Sequence, residues 1–281
     1  MPRALITGAA GQLGRQTVAL FNAEGFVVTA LVLEPHEHVD ADRVVVGNAG
    51  NLAVVRNALR DVDVVVHLAA LPSPNAGTAE EVFCGNTCAT FTVLEQSALA
   101  GVRHAVIASS QAISGLPFAP QARQPAYVPV DEAIPLQIAD PYALSKATDE
   151  ATAHMMWWRH GLSVCALRFP YIGAADSRLR ARAQQLRDDP SLGACELWAY
   201  LDLRDAARAC LLAVQRAPDG FEVIAVAAPN TLVPYPTEGL LDKYLPEVPR
   251  RRHCADNEVP LDLRRAKTIL GFEAEHVWAT S

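Results

Sequence analysis

The chain lacks an excess of basic charge, long apolar runs and any paired-cysteine pattern, and each absence removes a class of function. A net charge of -7 argues against nucleic acid as a partner, because that binding rests on phosphate neutralisation by Lys and Arg. The one basic run, Arg250-Arg251-Arg252-His253, reads as a solvated loop. No segment approaches the roughly 20 apolar residues that span a bilayer, so no membrane partner is expected. The start, MPRALITGAAG, shows no basic region followed by an apolar stretch and a small-residue cleavage site, which predicts a cytoplasmic protein. The six cysteines at 84, 88, 165, 195, 210 and 254 contain no CxxC. Cys84 and Cys88 can share a helix face, but without a histidine at matching spacing they make a poor metal site. Free thiols, buried or half-buried, and no metal are the expectation. Internal repeats, low-complexity tracts and long linkers are also missing.

What is present is an interior. Hydrophobic residues make up 51% of 281 positions, ample for a buried core. Short apolar runs alternate with longer amphipathic segments as far as about residue 170, the signature of βαβ units. Strands are predicted at Ala4 to Thr7, Val27 to Leu33, Val44 to Val46, Val62 to Leu68, Ala105 to Ser109 and Ser163 to Arg168. Helices are predicted at Leu13 to Glu24, Leu52 to Leu59, Glu80 to Ala100 and Tyr142 to His160. The fold class is therefore α/β, a doubly wound parallel sheet of the Rossmann type. Beyond residue 170 the pattern loosens: 171 to 197 carries no strand period, and 228 to 260 is proline-rich. Asp202 to Arg216 reads as a helix and Phe221 to Ala227 as a strand that rejoins the sheet. The expected organisation is a dinucleotide-binding core over 1–170, rejoined by about 198–227. A small discontinuous substrate part is expected from about 171–197 and 228–281.

The run Thr7-Gly8-Ala9-Ala10-Gly11-Gln12-Leu13-Gly14 follows a strand and opens a helix, the context a glycine fingerprint requires. Gly8 permits the tight turn, Gly11 lets backbone approach a pyrophosphate, and Gly14 lets the helix pack on the sheet. The helix N-terminus at Gln12 and Leu13 supplies amide donors and positive potential. A dinucleotide is the expected ligand. The second strand ends Leu31-Val32-Leu33-Glu34-Pro35, with no basic residue before Arg43. An arginine there would accept the extra phosphate of NADP, and an acid would hold the ribose hydroxyls of NAD. Glu34 is the only acid, so NAD is favoured and NADP stays open.

Tyr142 and Lys146 in DPYALSK are four residues apart on a predicted helix and so share one face. That spacing can hold a phenol and an ammonium against one bound molecule, a proton-transfer site beside a cofactor. Ser110 falls at the end of the strand that closes Ile107-Ala108-Ser109-Ser110, where an open parallel sheet places its ligand crevice. His67 lies within an apolar strand and reads as a core histidine with satisfied hydrogen bonds.

Taken together, TGAAGQLG, VVHLAA at 65–70, Asn86, SSQAISG at 109–115, the Tyr142/Lys146 pair and LRFPYIG at 167–173 resemble the extended short-chain dehydrogenase/reductases, the NAD-dependent epimerase/dehydratase family. YLDLRDAARA at 200–209 and LDLRRAKTILGF at 261–272 are similar to that family's later elements. The resemblance implies an acid/base role for Tyr142. It implies that Lys146 binds the nicotinamide ribose and makes the phenol a better proton acceptor. Ser110, chosen over Ser109, would donate to the substrate oxygen without becoming a nucleophile. Leu68, Ala69 and Ala70 fall where relatives pass backbone beneath the cofactor. Asn86 would cap the following helix or touch the nicotinamide half, Pro170 would contact the carboxamide through backbone, and Asn48 would lie near the adenine. Trp157 and Trp158 end the Tyr142 helix, which together with the Asn86 helix forms a dimer interface in relatives, so a homodimer is expected.

The same resemblance extends to uronate dehydrogenases, through TGAAGQLGR. It implies substrate contacts from Ser73, Asn75 and Gln111, and Arg178 can pair with a carboxylate or phosphate. Pro72 replaces a hydroxyl found in those enzymes, and their ribose-binding acid is missing from its usual position. The leading expectation is an NAD-dependent oxidoreductase acting on a secondary or anomeric alcohol of a sugar or sugar acid. A nucleotide-sugar epimerase or dehydratase that retains its cofactor is the alternative. A third reading, a nucleotide-sensing regulator, is weakened by the retained Tyr142/Lys146 pair.

Overall fold

A computed structural model describes residues 1–121 and 123–279. In chain order its strands are β1 (Arg3–Thr7), β2 (Val27–Val32), β3 (Arg43–Val46), β4 (Val64–His67), β5 (His104–Ser110), β6 (Ser163–Phe169), β7 (Tyr171–Gly173), β8 (Tyr200–Asp202) and β9 (Phe221–Ala225). Its α-helices are α1 (Gln12–Ala23), α2 (Leu52–Ala58), α3 (Ala79–Leu99), α4 (Pro141–His160), α5 (Arg178–Asp188), α6 (Leu203–Arg216) and α7 (Thr237–Tyr244). Seven strands pair in parallel in the order β3-β2-β1-β4-β5-β6-β9. The doubly wound fold expected from the alternation is the fold observed, and β9 rejoins the sheet beside β6 as the sequence indicates.

The inner strands are buried on both faces, which is why they read as unbroken apolar runs rather than alternating ones. On one face Val18 and Phe21 of α1 and Ala206, Ala209 and Cys210 of α6 pack against Ile6, Val28, Val66 and Val106. On the other, Val55 of α2, Val93 and Leu94 of α3, and Ala153 and Met156 of α4 cover Leu5, Leu31, Val65 and Ile107. A separate core gathers Val128 and Ile134, Leu179 and Leu186 of α5, Trp198, Tyr200, Leu240 and Leu261. The chain reaches it from the carboxyl end of β6, through the short pair β7 and β8.

Helix ends are set by local chemistry. Thr78 and Glu81 form a reciprocal capping box at the start of α3, satisfying two otherwise open amides. α4 begins with Asp140 Oδ1 accepting from Ala143 N at 2.8 Å and Pro141 in the first turn, and stops at Gly161 in the left-handed region, a glycine's usual place. The α3 cap is therefore Thr78 and not Asn86, which lies eight residues into the helix. β7 has only three residues, too few to show a period, and α5 occupies the segment that carries no strand signal.

The run Arg250 to His253 is irregular and largely exposed, as expected, and its arginines are ion-paired at the surface, Arg250 with Glu238 and Asp242, Arg251 with Asp131 and Arg252 with Glu258. One expectation on surface chemistry is corrected. Cys84 and Cys88 are exposed on α3, because they fall on its outward face. Burial pushes the thiols of Cys210 and Cys254 up to about 12 and about 11, which keeps them protonated and unreactive. Among the described residues, no helix is long and apolar enough to cross a membrane.

At Gly14 a Cβ would overlap the Gly8 carbonyl oxygen and the Ala9 backbone, neither of which can rotate away. Gly14→Ala should therefore lower stability by about 1–3 kcal/mol, read as a lower urea midpoint. An unchanged midpoint would contradict the close packing of α1 on the phosphate turn.

Candidate active site

The sheet order reverses between β1 and β4, and in open α/β sheets ligands bind outside the carboxyl ends at such a point. Thr7 and His67 are register partners there. Gly8 has φ +66°, and a Cβ on it would lie 2.7 Å from Ala69 N; a left-handed backbone pressed on a neighbour admits only glycine. α1 starts at Gly11 with no side-chain cap and no acid in its first turn. Its amides therefore remain available to an anion.

From this turn a cleft of about 630 Å³ runs over the ends of β4, β5 and β6. It is lined by Gly8, Gly11, Gln12, Leu13, Gly14, Leu68, Ala70, Ser73, Asn75, Ser110, Gln111, Tyr142, Lys146, Pro170 and Arg178, so the structure brings these sequence-identified residues onto one site. A second cleft of about 690 Å³ beside β9 is larger. Its Arg264 and Arg265 are paired with Asp262 and Glu222, which leaves its charges answered within the protein.

Tyr142 is 8% exposed, with Phe118 edge-on at 5.9 Å between ring centroids. Among the described residues nothing hydrogen-bonds its hydroxyl. Lys146 Nζ lies 5.9 Å from the Tyr142 ring centroid and donates to Ala108 O at 2.8 Å. The shared helix face expected from the i, i+4 spacing is the one that meets the cleft.

The two serines separate cleanly. Ser109 Oγ donates to Glu150 Oε1 at 2.6 Å, and Glu150 is itself held by Arg168 at 2.8 Å. Ser110 Oγ accepts from Ala112 N at 3.1 Å, which uses a lone pair and leaves its proton to donate into the cleft. This supports Ser110 as the donor.

Four expected cofactor residues lie outside the cleft lining. Ala69 lies directly beneath Gly8, where its backbone supports the turn. Glu34 is exposed, two residues past the end of β2. Asn48 Oδ1 accepts from Gly50 N at 2.7 Å and is spent on its own turn. Asn86 is 1% exposed, its Oδ1 accepting from Leu71 N at 2.7 Å and its Nδ2 donating to Leu71 O and Ser145 Oγ. It ties the loop after β4 to α4.

Sequence reading missed Phe118, Tyr171, Glu196 and Leu203 as cleft residues. Phe118 lies just past SSQAISG and Tyr171 within LRFPYIG, so proximity to a motif was available as a signal for both. Glu196 ends a short 3-10 turn (Pro190–Glu196) and pairs with Arg182 at 2.7 Å; nothing in the local sequence marks it.

A glycine turn at the switch point, a free serine hydroxyl and a tyrosine beside a lysine define a nucleotide-binding α/β protein of the short-chain dehydrogenase/reductase type. Residues 4–227 match the NAD dependent epimerase/dehydratase family, and the chain belongs to it. It is 31% identical over 182 residues to the L-arabinose 1-dehydrogenase (NAD(P)(+)) of Haloferax volcanii, covering 63% of this chain and 69% of that protein. It is 27% identical to the UDP-glucose 4-epimerase of Azospirillum brasilense, covering 62% of this chain and 50% of that one. A short-chain dehydrogenase/reductase superfamily protein from Agrobacterium tumefaciens, solved with NAD bound, superposes with a TM-score of 0.74 at 24% identity, covering 98% of this chain and 93% of its own.

His67, as expected, is a core histidine. Its Nδ1 meets Thr7 Oγ1 at 2.7 Å and its Nε2 meets Thr90 Oγ1 at 3.1 Å. Burial, reinforced by the Lys146 charge, pulls it down to about 3. A histidine held neutral in the fold takes up a proton only on unfolding, so it costs the fold stability as pH drops from about 6.5 towards 3. Between about pH 6.5 and 5 the loss should reach about 2 kcal/mol, measured by urea unfolding and absent from His67→Gln. Equal losses in both proteins would refute the assignment.

Proposed function

We propose that this chain is an NAD-dependent oxidoreductase that oxidises an alcohol carbon of a sugar or sugar acid. The observation that carries this reading is the single cleft in which the uncapped α1 amides, Ser110, Tyr142 and Lys146 all meet. The residues fit a dinucleotide: the Gly8–Gly14 turn can accept a pyrophosphate, and no Lys or Arg follows β2 before Arg43 to take an extra phosphate. A bound nicotinamide would supply the acceptor for the hydride leaving the carbinol carbon. Ser110 donates a hydrogen bond to the substrate oxygen, and Tyr142 takes the hydroxyl proton as the carbonyl forms. Lys146 holds its positive charge beside the phenol and keeps a donor for the nucleotide.

Substrate recognition falls to the far end of the cleft. Ser73, Asn75 and Gln111 offer hydroxyl and amide groups suited to a polyol. The Arg178 guanidinium lies 4.9 Å from the Tyr171 ring centroid, with Nε 3.3 Å from its hydroxyl. Stacking in this way preorganises the remaining donors for a carboxylate. The likeness to an L-arabinose dehydrogenase supports a free sugar, and the likeness to epimerases keeps a nucleotide sugar as the second reading. Phe91, Leu99, Leu144 and Trp158 are exposed apolar residues on the α3 and α4 pair, which favours a homodimer through these helices.

The test is absorbance of reduced nicotinamide with NAD and L-arabinose, D-galacturonate or UDP-glucose in turn. Net reduction with a free sugar or sugar acid is expected. No reduction, with cofactor retained through purification, would select the epimerase reading. Tyr142→Phe should cost about 10²-fold or more in kcat while NAD still binds. Ser110→Ala should cost about 10²-fold, whereas Ser109→Ala should act on stability and leave kcat near wild type. Turnover unaffected by Tyr142→Phe would refute the proposal.

A further inference from the structure

Lys146 is held from behind by a carboxylate. One N–H reaches Ala108 O at 2.8 Å and another Asp149 Oδ2 at 3.2 Å, with both charged side chains no more than 5% exposed. An ammonium has three N–H donors, so one is left for the cleft. Burial raises the Asp149 carboxyl above its usual range, against the pull of Lys146, with Glu150 adding to the rise.

A separate set of polar contacts ties the nucleotide turn to Thr90 of α3, and their directions agree. Leu68 N and Ala69 N both donate to Thr7 Oγ1 at 3.2 Å. The Thr7 hydroxyl then donates to His67 Nδ1, and His67 Nε2–H to Thr90 Oγ1. Only the tautomer with the proton on Nε2 satisfies every member.

We propose that Asp149 is a positioning residue: it holds the Lys146 ammonium against Tyr142 and sets the net charge Tyr142 experiences. This rests on the reading of Tyr142 and Lys146 as the proton-transfer pair. The titratable groups around Asp149 are Tyr142, Lys146 and Glu150 on α4 and His67 on β4; α3 contributes the uncharged Thr90 and β5 the Ala108 carbonyl. Glu150 is neutralised by Arg168 on its far side, and His67 is neutral. Asp149 is therefore the anion that offsets Lys146, and it opposes a second negative charge on the phenol.

Replacing the carboxylate by an amide should let the uncompensated ammonium favour the phenolate. The experiment titrates tyrosinate absorbance with saturating NAD, taking the difference between each protein and its Tyr142→Phe counterpart, so no substrate is needed. Asp149→Asn should move the Tyr142 midpoint down by about one pH unit. Asp149→Glu, which keeps the charge, should return it towards wild type. Asp149→Ser is a second neutral variant should the Asn protein fail the circular-dichroism check for folding, and it should shift in the same direction. A midpoint that stays put or rises in the neutral variants overturns the proposal, as does an Asp149→Glu midpoint that follows them. If Tyr142→Phe retains turnover, the reading of the site fails. If Tyr142→Phe is inactive and the midpoint does not move, the role of Asp149 alone fails.

Discussion

The close approach of β1 and β4 at their carboxyl ends is the constraint on which the rest of the molecule depends. Parallel pairing sets Thr7 beside His67, so Gly8 must turn in a left-handed conformation directly against the Leu68–Ala69 backbone. That contact opens the crevice, starts α1 with unclaimed amides, and aims the next segments of chain over the sheet edge. Leu68 to Asn75, Ser110 and Gln111, and Pro170 to Arg178 all leave neighbouring strands at this end. The cleft follows from topology before any catalytic side chain is considered.

α4 then adds the chemistry. Its ends are defined by Asp140, Pro141 and Gly161, and its packing against α3 is secured where Asn86 grips both the loop after β4 and Ser145 of α4. Tyr142 and Lys146 face the crevice, while Asp149 and Glu150, one turn on, bury their charges against Lys146 and Arg168. Two acids and two bases thus answer one another beneath the site. Buried charges left unpaired are costly, so this pairing constrains how α4 can rotate and hence where the phenol points.

Much of this was legible in the sequence because the signals were local. Parallel strands buried on both faces give apolar runs, glycines mark the turn, and an i, i+4 pair declares a helix face. Thr78 with Glu81, three residues apart, spells a capping box that agrees with a helix start near Glu80 and assigns the cap to Thr78 instead of Asn86. The parts that escaped are those that need three dimensions. Glu196 reaches the cleft from a separate core, and Asn86 is claimed by backbone fifteen residues away. The outward face of Cys84 and Cys88 depends on which side of α3 meets α4, and the ion pairs of Arg250 to Arg252 depend on Asp131, Glu238, Asp242 and Glu258. Glu34 is legible only as the acid nearest the end of β2, two residues past Val32 and exposed.

The account's central claim is that one cleft seats a dinucleotide with its reactive end against Tyr142 and Lys146. A crystal structure of the chain with NAD tests it most directly. The account predicts the pyrophosphate on the Gly8–Gly14 turn and a ribose hydroxyl on the remaining Lys146 N–H, with the Ala108 and Asp149 contacts intact. A dinucleotide bound elsewhere, or Tyr142 turned away from the bound ring, would contradict it.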